Sequence, residues 1–196
     1  MDESTTILIS QLESDFSLAI LASQMIAATA AESASLWLIR MALLLMVVVF
    51  SIELRGGNRT DRMTASLWLA GAVLALGHGI GTVATFHHGS QTLAFESTAQ
   101  RTEQLLGIRF GAGLFVNYVF LIVWLVDALM AILLPVRYRR LQRLYVYATD
   151  GFLLFIAING AIVFQTGWSR SIGVISLIFL LMLVIQRRFW TNKSCK

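Results

Sequence analysis

Five long apolar stretches dominate this chain and limit what it can fold into. They cover residues 36–54, 64–86, 111–134, 151–168 and 172–186. Each is close to the roughly 17–25 residues with which a helix crosses a bilayer, the last being marginal. Hydrocarbon offers the backbone no hydrogen-bond partner, so such stretches must satisfy their own polar groups as helices. We therefore predict an all-α fold, a polytopic transmembrane helix bundle of five spans.

The composition supports a membrane environment. The chain is 57% hydrophobic and 13% charged, whereas soluble domains are roughly 45–50% apolar and about 25% charged. Its 196 residues leave no room for a sizeable soluble domain beside the bundle. The sequence divides into an acidic N-terminal segment (1–35), the bundle (36–186) and a basic tail (187–196).

The N-terminal segment has the wrong charge for a secretory signal, because no Lys or Arg precedes Arg40. Residues 16–30 are apolar but only about 15 residues long, short of the roughly 20 needed to span. We expect an interfacial helix there, and a sixth span is the alternative.

The basic residues indicate the orientation. Most of the 15 Lys and Arg residues fall in the loops after spans one and three and in the C-terminal tail. The positive-inside rule makes that side cytoplasmic, with the N-terminus outside and the C-terminus in the cytoplasm. We expect the membrane to be a bacterial inner membrane. Tryptophans expected at span ends agree with this arrangement: Trp37, Trp68, Trp168 and Trp190. Short basic runs between apolar stretches, without a recognition motif, argue against a nucleic-acid partner.

The loop after span three mixes basic and aromatic residues, which suits the headgroup layer. We predict that it anchors the protein to anionic lipid headgroups on the cytoplasmic face through its four arginines. They are Arg137, Arg139, Arg140 and Arg143. On the other side, the long connection 87–109 predicts a surface helix that ends near Gly107.

Polar residues inside spans are expensive and are the best pointers to function. They are Asp127, His78, Asn117 and Asn159. Asp127 indicates either a proton or cation site or a carboxyl group that holds helices together. From their depths we expect His78 beside Asn117 in an outer layer, and Asp127 beside Asn159 below it. Asp150 is expected to cap span four.

The histidines raise the alternative of a haem or metal centre. His78 could ligate haem, although His87 and His88 point away from it on a regular helix. An external metal site would instead combine imidazoles with carboxylates: His87, His88, Glu96 and Glu103. The spacing fits no metal motif, so we expect no cofactor, with haem or a divalent metal as the alternative.

Three pieces of sequence suggest a relationship: Phe86-His87-His88-Gly89-Ser90, Thr98-Ala99, and the run from Gly111 to Tyr118. The stretch that contains them, about a quarter of the chain, resembles multi-pass membrane proteins of planctomycete-type bacteria. The resemblance implies a membrane location and assigns no activity to any residue.

Three functions remain open. The first is a non-enzymatic membrane subunit or scaffold that works through other membrane subunits or through copies of itself. The second is a small proton- or ion-coupled transporter or channel that uses Asp127. The third is a haem- or metal-binding membrane redox protein that uses His78, His87 or His88. No catalytic triad, phosphate loop or dinucleotide fingerprint is present, so an enzyme is the less favoured class.

Overall fold

The computed structural model describes residues 3–87 and 89–193, and these residues form helices without a single strand. The helices are α1 (Glu3–Leu54), α2 (Arg62–Phe86), α3 (Gln91–Leu106), α4 (Gly113–Leu133), α5 (Pro135–Tyr138), α6 (Arg143–Ile158) and α7 (Gly167–Lys193). A π-helical turn, Asn159–Val163, continues α6. The all-α prediction is confirmed.

Five helices are long and apolar enough to cross a membrane. These candidate spans are Ile20–Leu54, Arg62–Phe86, Gly113–Leu133, Arg143–Val163 and Gly167–Arg187. The predicted number of five is therefore confirmed. The fourth span begins at Arg143 rather than at residue 151, so Asp150 lies inside a helix and is not its cap. Sequence reasoning placed the boundary after Asp150 because it treated that carboxylate as solvated.

The first helix is continuous, so the predicted N-terminal helix is simply its first part. Over its 52 residues α1 is about 78 Å long at about 1.5 Å per residue. Residues 16–30 do not turn back to make a sixth span. The side chains of Phe16, Met25 and Ile26 in this part are exposed. The predicted boundary at residue 35 falls within the helix.

The short surface helix predicted between spans two and three is α3. The Ser90 side chain accepts a hydrogen bond from the Leu93 N–H at its start. At its end Gly107 has a φ of +74°, and its N–H donates to the Glu103 carbonyl. A glycine in this left-handed conformation is a common helix terminator, and it confirms the predicted end.

The core lies between α1, α2 and α4 and is centred on two tryptophans. Trp68 and Trp124 are both completely buried, with ring centroids 5.1 Å apart. Gly71 makes this packing possible, since a Cβ there would lie 2.8 Å from Trp124. Trp68 is therefore a core residue, not the interfacial residue that the sequence suggested. Trp37 and Trp168 are exposed, and the side chain of Trp190 lies outside the described residues.

We call the end of the bundle that carries Trp37, Trp168 and α3 the Trp37 end. The opposite end, which carries the α1–α2 loop and α5, is the Arg59 end.

Candidate functional site

The loop between α1 and α2 turns sharply and carries Arg59 back into the bundle. Gly56 has a φ of +95°, and a Cβ on Gly57 would clash with α1. Such a conformation and such a close approach both require glycine. The Asn58 side-chain oxygen then accepts hydrogen bonds from the backbone N–H and the hydroxyl of Thr60. The local sequence thus fixes the path of the loop.

Arg59 forms three ion pairs although its side chain is only 3% exposed. Its Nη2 lies 2.6 Å from Glu53, and its Nη1 lies 2.7 Å from Asp150 and 3.2 Å from Asp127. The Nε of Arg59 also donates to Glu53, so that pair is bidentate. Because the three carboxylates belong to α1, α6 and α4, one guanidinium ties three spans together.

Two aromatic rings complete the environment of this guanidinium. The Arg59 Cζ atom lies 4.6 Å from the ring centroid of Trp68 and 5.5 Å from that of Phe50. Stacking on ring faces and a bidentate carboxylate contact both need the planar guanidinium group, which lysine lacks.

Asp127 is 1% exposed and takes all its hydrogen bonds from within the bundle. Its Oδ2 accepts from Trp68 Nε1 at 2.8 Å and from Arg59 at 3.2 Å. The Tyr138 hydroxyl lies 3.1 Å from Oδ1 and 3.2 Å from Oδ2. We call the six residues of this network the Arg59 cluster: Glu53, Arg59, Trp68, Asp127, Tyr138 and Asp150.

The charges of the Arg59 cluster follow from its geometry. Burial lowers the pKa of Arg59, but hydrogen bonds and charge from Glu53, together with the charge of Asp150, outweigh it and raise that pKa. Burial raises the pKa of the Tyr138 phenol above its ordinary value. At neutral pH Arg59 is therefore a cation and Tyr138 a neutral phenol. One guanidinium faces three carboxylates, two of which keep partial contact with solvent.

His78 joins α2 to α1 rather than to α4. Its Nδ1 lies 2.9 Å from the Ser35 carbonyl oxygen and 3.0 Å from the Ser35 hydroxyl, which in turn bonds Thr82. Asn117 is exposed, and Asn159 donates to the Phe155 carbonyl of its own helix. The predicted pairs, His78 with Asn117 and Asp127 with Asn159, are thus not the pairs that form.

The carboxylates of the predicted external metal site are engaged with an arginine. Arg109 forms ion pairs with both Glu96 and Glu103. His87 is half-buried, and His88 lies outside the described residues. In the part of the chain that the structure describes, no three His, Cys, Asp or Glu residues come together in a way that could hold a metal ion.

A large apolar cleft lies toward the Trp37 end, and residues of α1, α2, α3, α4, α6, the π-helical turn and α7 line it. Its volume is about 720 Å³, and its walls are mainly aliphatic and aromatic. Polar side chains also line it, among them Arg40, His78, His87, Arg101, Asn117, Asn159, Gln165, Ser169 and Ser176. Ligand sites are typically clefts of roughly 300–1,000 Å³ with this mixture of apolar walls and few polar groups.

The π-helical turn forms part of the wall of the apolar cleft. Asn159, Gly160, Ala161 and Ile162 all line it. Gly173 of α7 packs on this turn so closely that a Cβ would lie 2.8 Å from the Ala161 carbonyl oxygen. Single π-helical turns inside α-helices are rare and occur often at functional sites.

The four arginines of the predicted lipid anchor lie at the Arg59 end. Arg137, Arg139, Arg140 and Arg143 are all exposed, around the short helix α5 and the start of α6. This position is compatible with headgroup contact, and the anchor remains a prediction.

Comparison with family models, with curated proteins and with solved structures found no match to this chain. The resemblance to planctomycete-type membrane proteins therefore stays a prediction.

Sequence reasoning found Asp127 but missed its partners. Arg59 counted only as one of the basic residues in the loop after span one, Asp150 was expected to cap span four, and Glu53 was not considered. One signal was available: all three carboxylates, Glu53, Asp127 and Asp150, lie in the half of their spans nearest the basic loops, where an arginine of such a loop can fold back to pair with them.

Proposed function

We propose that this chain is a non-enzymatic membrane protein that works by binding a lipid-like molecule in the apolar cleft. The observation that supports this function best is the cleft itself, about 720 Å³ of mainly apolar space within a membrane bundle. Binding would let the protein present or retain a lipid, or act as a lipid-dependent subunit beside other membrane proteins.

The groups around the apolar cleft suit binding better than acid–base catalysis. No carboxylate is present among the described residues that line it. Nδ1 of His78 is held by Ser35. The lining contains two histidines, His78 and His87, but no carboxylate among its described residues that could pair with either of them in general acid–base catalysis.

The binding function predicts that filling the cleft lowers lipid affinity. Ser176 of α7 lines the cleft, whereas Ser171 on the same helix is exposed and does not. We expect Ser176→Phe to weaken binding of dioleoylphosphatidylcholine at least roughly tenfold, because the ring occupies space that acyl chains need. Ser171→Phe is the matched control and should bind as the unaltered protein does. Native mass spectrometry of delipidated protein titrated with the lipid measures the affinity.

Equal affinity in the two serine variants, or no lipid retained by the unaltered protein, would contradict the binding function.

A proton- or cation-coupled transporter that uses Asp127 is the second candidate. It is favoured by the charge of the Arg59 cluster, where three carboxylates share one guanidinium. It is opposed by the burial of Asp127, whose oxygens all face protein donors. A buried carboxylate whose oxygens already accept hydrogen bonds from protein donors is more typical of a structural network.

The proposal includes the orientation expected from the basic residues, with the Arg59 end in the cytoplasm. Reporter domains fused after Arg62, Arg143 and Lys196 should then report a cytoplasmic location, and one inserted near Glu96 should report the outside. At each site, one fusion carries a reporter that is active only in the cytoplasm and another carries a reporter that is active only outside. The reporter that is active gives the location of that site. A cytoplasmic Glu96 would reverse the whole arrangement.

A further inference from the structure

The apolar cleft is lined by positive charge and, among its described residues, by no negative charge. Arg40 of α1 and Arg101 of α3 both line it. Arg40 donates to the Ser169 hydroxyl at 2.9 Å and lies over the Trp37 ring. No carboxylate of the described side chains forms an ion pair with either arginine.

Two other arginines, Arg59 and Arg109, do form ion pairs with carboxylates. Arg59 pairs with three carboxylates, and Arg109 of the α3–α4 connection pairs with Glu96 and Glu103. Arg109 is near Arg101 in the chain, yet among the described side chains only Arg109 has carboxylate partners. The two cleft arginines thus present donors that a bound anion could occupy.

The depth of the apolar cleft matches one leaflet of a bilayer. Along α1 its lining runs from Leu36 to Val47, about 17 Å at about 1.5 Å per residue. Along α7 it runs from Trp168 to Leu180, about 18 Å on the same scale. The hydrocarbon core of a bilayer is roughly 30 Å thick, so each distance is about half of it.

The cleft therefore has an amphiphilic layout. Arg40 and the exposed Arg101 lie toward the Trp37 end, where Trp37 and Trp168 are also exposed. Toward the middle of the bundle the lining becomes apolar, with Met46, Leu154 and Leu180.

We propose that the apolar cleft holds an anionic phospholipid, with its phosphate at Arg40 and Arg101 and its acyl chains against the apolar wall. This inference rests on the proposed binding function and adds the class of headgroup. Arginine recognises phosphate through several donors in a fixed plane. The lipid is drawn from the leaflet at the Trp37 end.

The test compares two lipids that share acyl chains and differ in headgroup charge. Delipidated protein is titrated with dioleoylphosphatidylglycerol and, separately, with dioleoylphosphatidylcholine, and native mass spectrometry counts bound lipid. The unaltered protein should prefer the anionic lipid by about 25-fold, the product of two fivefold contributions. Arg40→Gln and Arg101→Gln should each reduce that preference about fivefold, since an arginine near anionic lipid contributes about 1 kcal/mol. Their combination should remove the preference.

A matched variant separates the cleft arginines from another arginine at the same end. Arg170→Gln removes an exposed arginine at the same end that does not line the cleft, so the preference should remain. Inorganic phosphate at millimolar concentration should not displace the lipid, because it lacks the acyl chains.

The outcomes distinguish this inference from the function on which it rests. Equal binding of both lipids to the unaltered protein overturns the anionic headgroup and leaves the binding function intact. A preference that Arg170→Gln weakens as much as Arg40→Gln does also overturns it. Displacement by phosphate would show a plain anion site in place of a lipid site. No binding of either lipid means that the proposed function has failed.

Discussion

Arg59→Met is expected to destabilise the bundle by about 3–5 kcal/mol, the usual cost of removing one partner from a buried ion pair. Methionine fills similar space but leaves Glu53, Asp127 and Asp150 facing one another without a cation. Thermal unfolding in detergent, followed by size-exclusion fluorescence, measures the loss.

Three variants show whether the effect belongs to the buried position. Arg55→Met and Arg62→Met remove exposed arginines from the same connection and should change stability by no more than about 0.5 kcal/mol. Arg59→Lys should be intermediate, because a point charge cannot reproduce the bidentate contact with Glu53 or the stacking on Trp68.

A compensating variant tests the electrostatic reason. Arg59→Met combined with Glu53→Gln, Asp127→Asn and Asp150→Asn removes the uncompensated charges and should recover a large part of the lost stability. If Arg59→Met alone unfolds at the same temperature as the unaltered protein, the Arg59 cluster does not hold the helices together.

The spans could be predicted because lipid leaves few solutions for a long apolar segment. The continuity of α1 was also readable. The chain has no glycine or proline before Gly56, so nothing in residues 31–35 can end a helix. The boundary at residue 35 followed from the end of the acidic segment, although polar residues alone do not break a helix. Pro135, the only proline in the sequence, does separate α4 from α5.

The partners of the interior polar residues could not be predicted in the same way. Hydropathy gives the depth of a residue along its helix, but hydrogen bonding depends on which faces of two helices meet. His78 and Asn117 were placed at one depth, yet His78 turns toward Ser35 on α1. The burial of Arg59 was even harder to predict, because it depends on a loop whose path is set by Gly56, Gly57 and Asn58.

The apolar cleft could not be predicted from the sequence, for a further physical reason. In a bilayer, lipid-facing and cleft-facing side chains are both apolar, so composition does not distinguish them. Only the positions of Arg40 and Arg101 hint at it, and each alone looks like an ordinary residue on the side with few basic groups.

Asp127 offers the second large effect, and two substitutions there should give opposite results. In Asp127→Asn the amide oxygen can take the position of Oδ2 and accept from Trp68 and Arg59, while the amide nitrogen donates to the Tyr138 oxygen. Arg59 keeps Glu53 and Asp150, so the loss should be no more than about 1 kcal/mol.

Asp127→Leu has nearly the same size but leaves the Trp68 N–H without an acceptor and removes a partner of Tyr138 and Arg59. Each buried group left unsatisfied costs about 1–3 kcal/mol, so this variant should lose several kcal/mol in the same unfolding measurement. Leucine at Val126, the exposed neighbour on α4, is the control and should be neutral. Equal stability of the asparagine and leucine variants would mean that the hydrogen bonds at Asp127 do not matter.

The asparagine variant also decides between the two candidate functions, because it keeps the fold and cannot exchange a proton. Protein in liposomes with an internal pH-sensitive dye is exposed to a pH gradient. For a lipid-binding protein, neither the unaltered chain nor Asp127→Asn should speed decay of the gradient, and both should bind lipid equally. If the unaltered protein dissipates the gradient and the asparagine variant does not, Asp127 carries protons. Proton transport then replaces lipid binding as the function, because a carboxylate that only holds helices together does not speed the decay of a pH gradient.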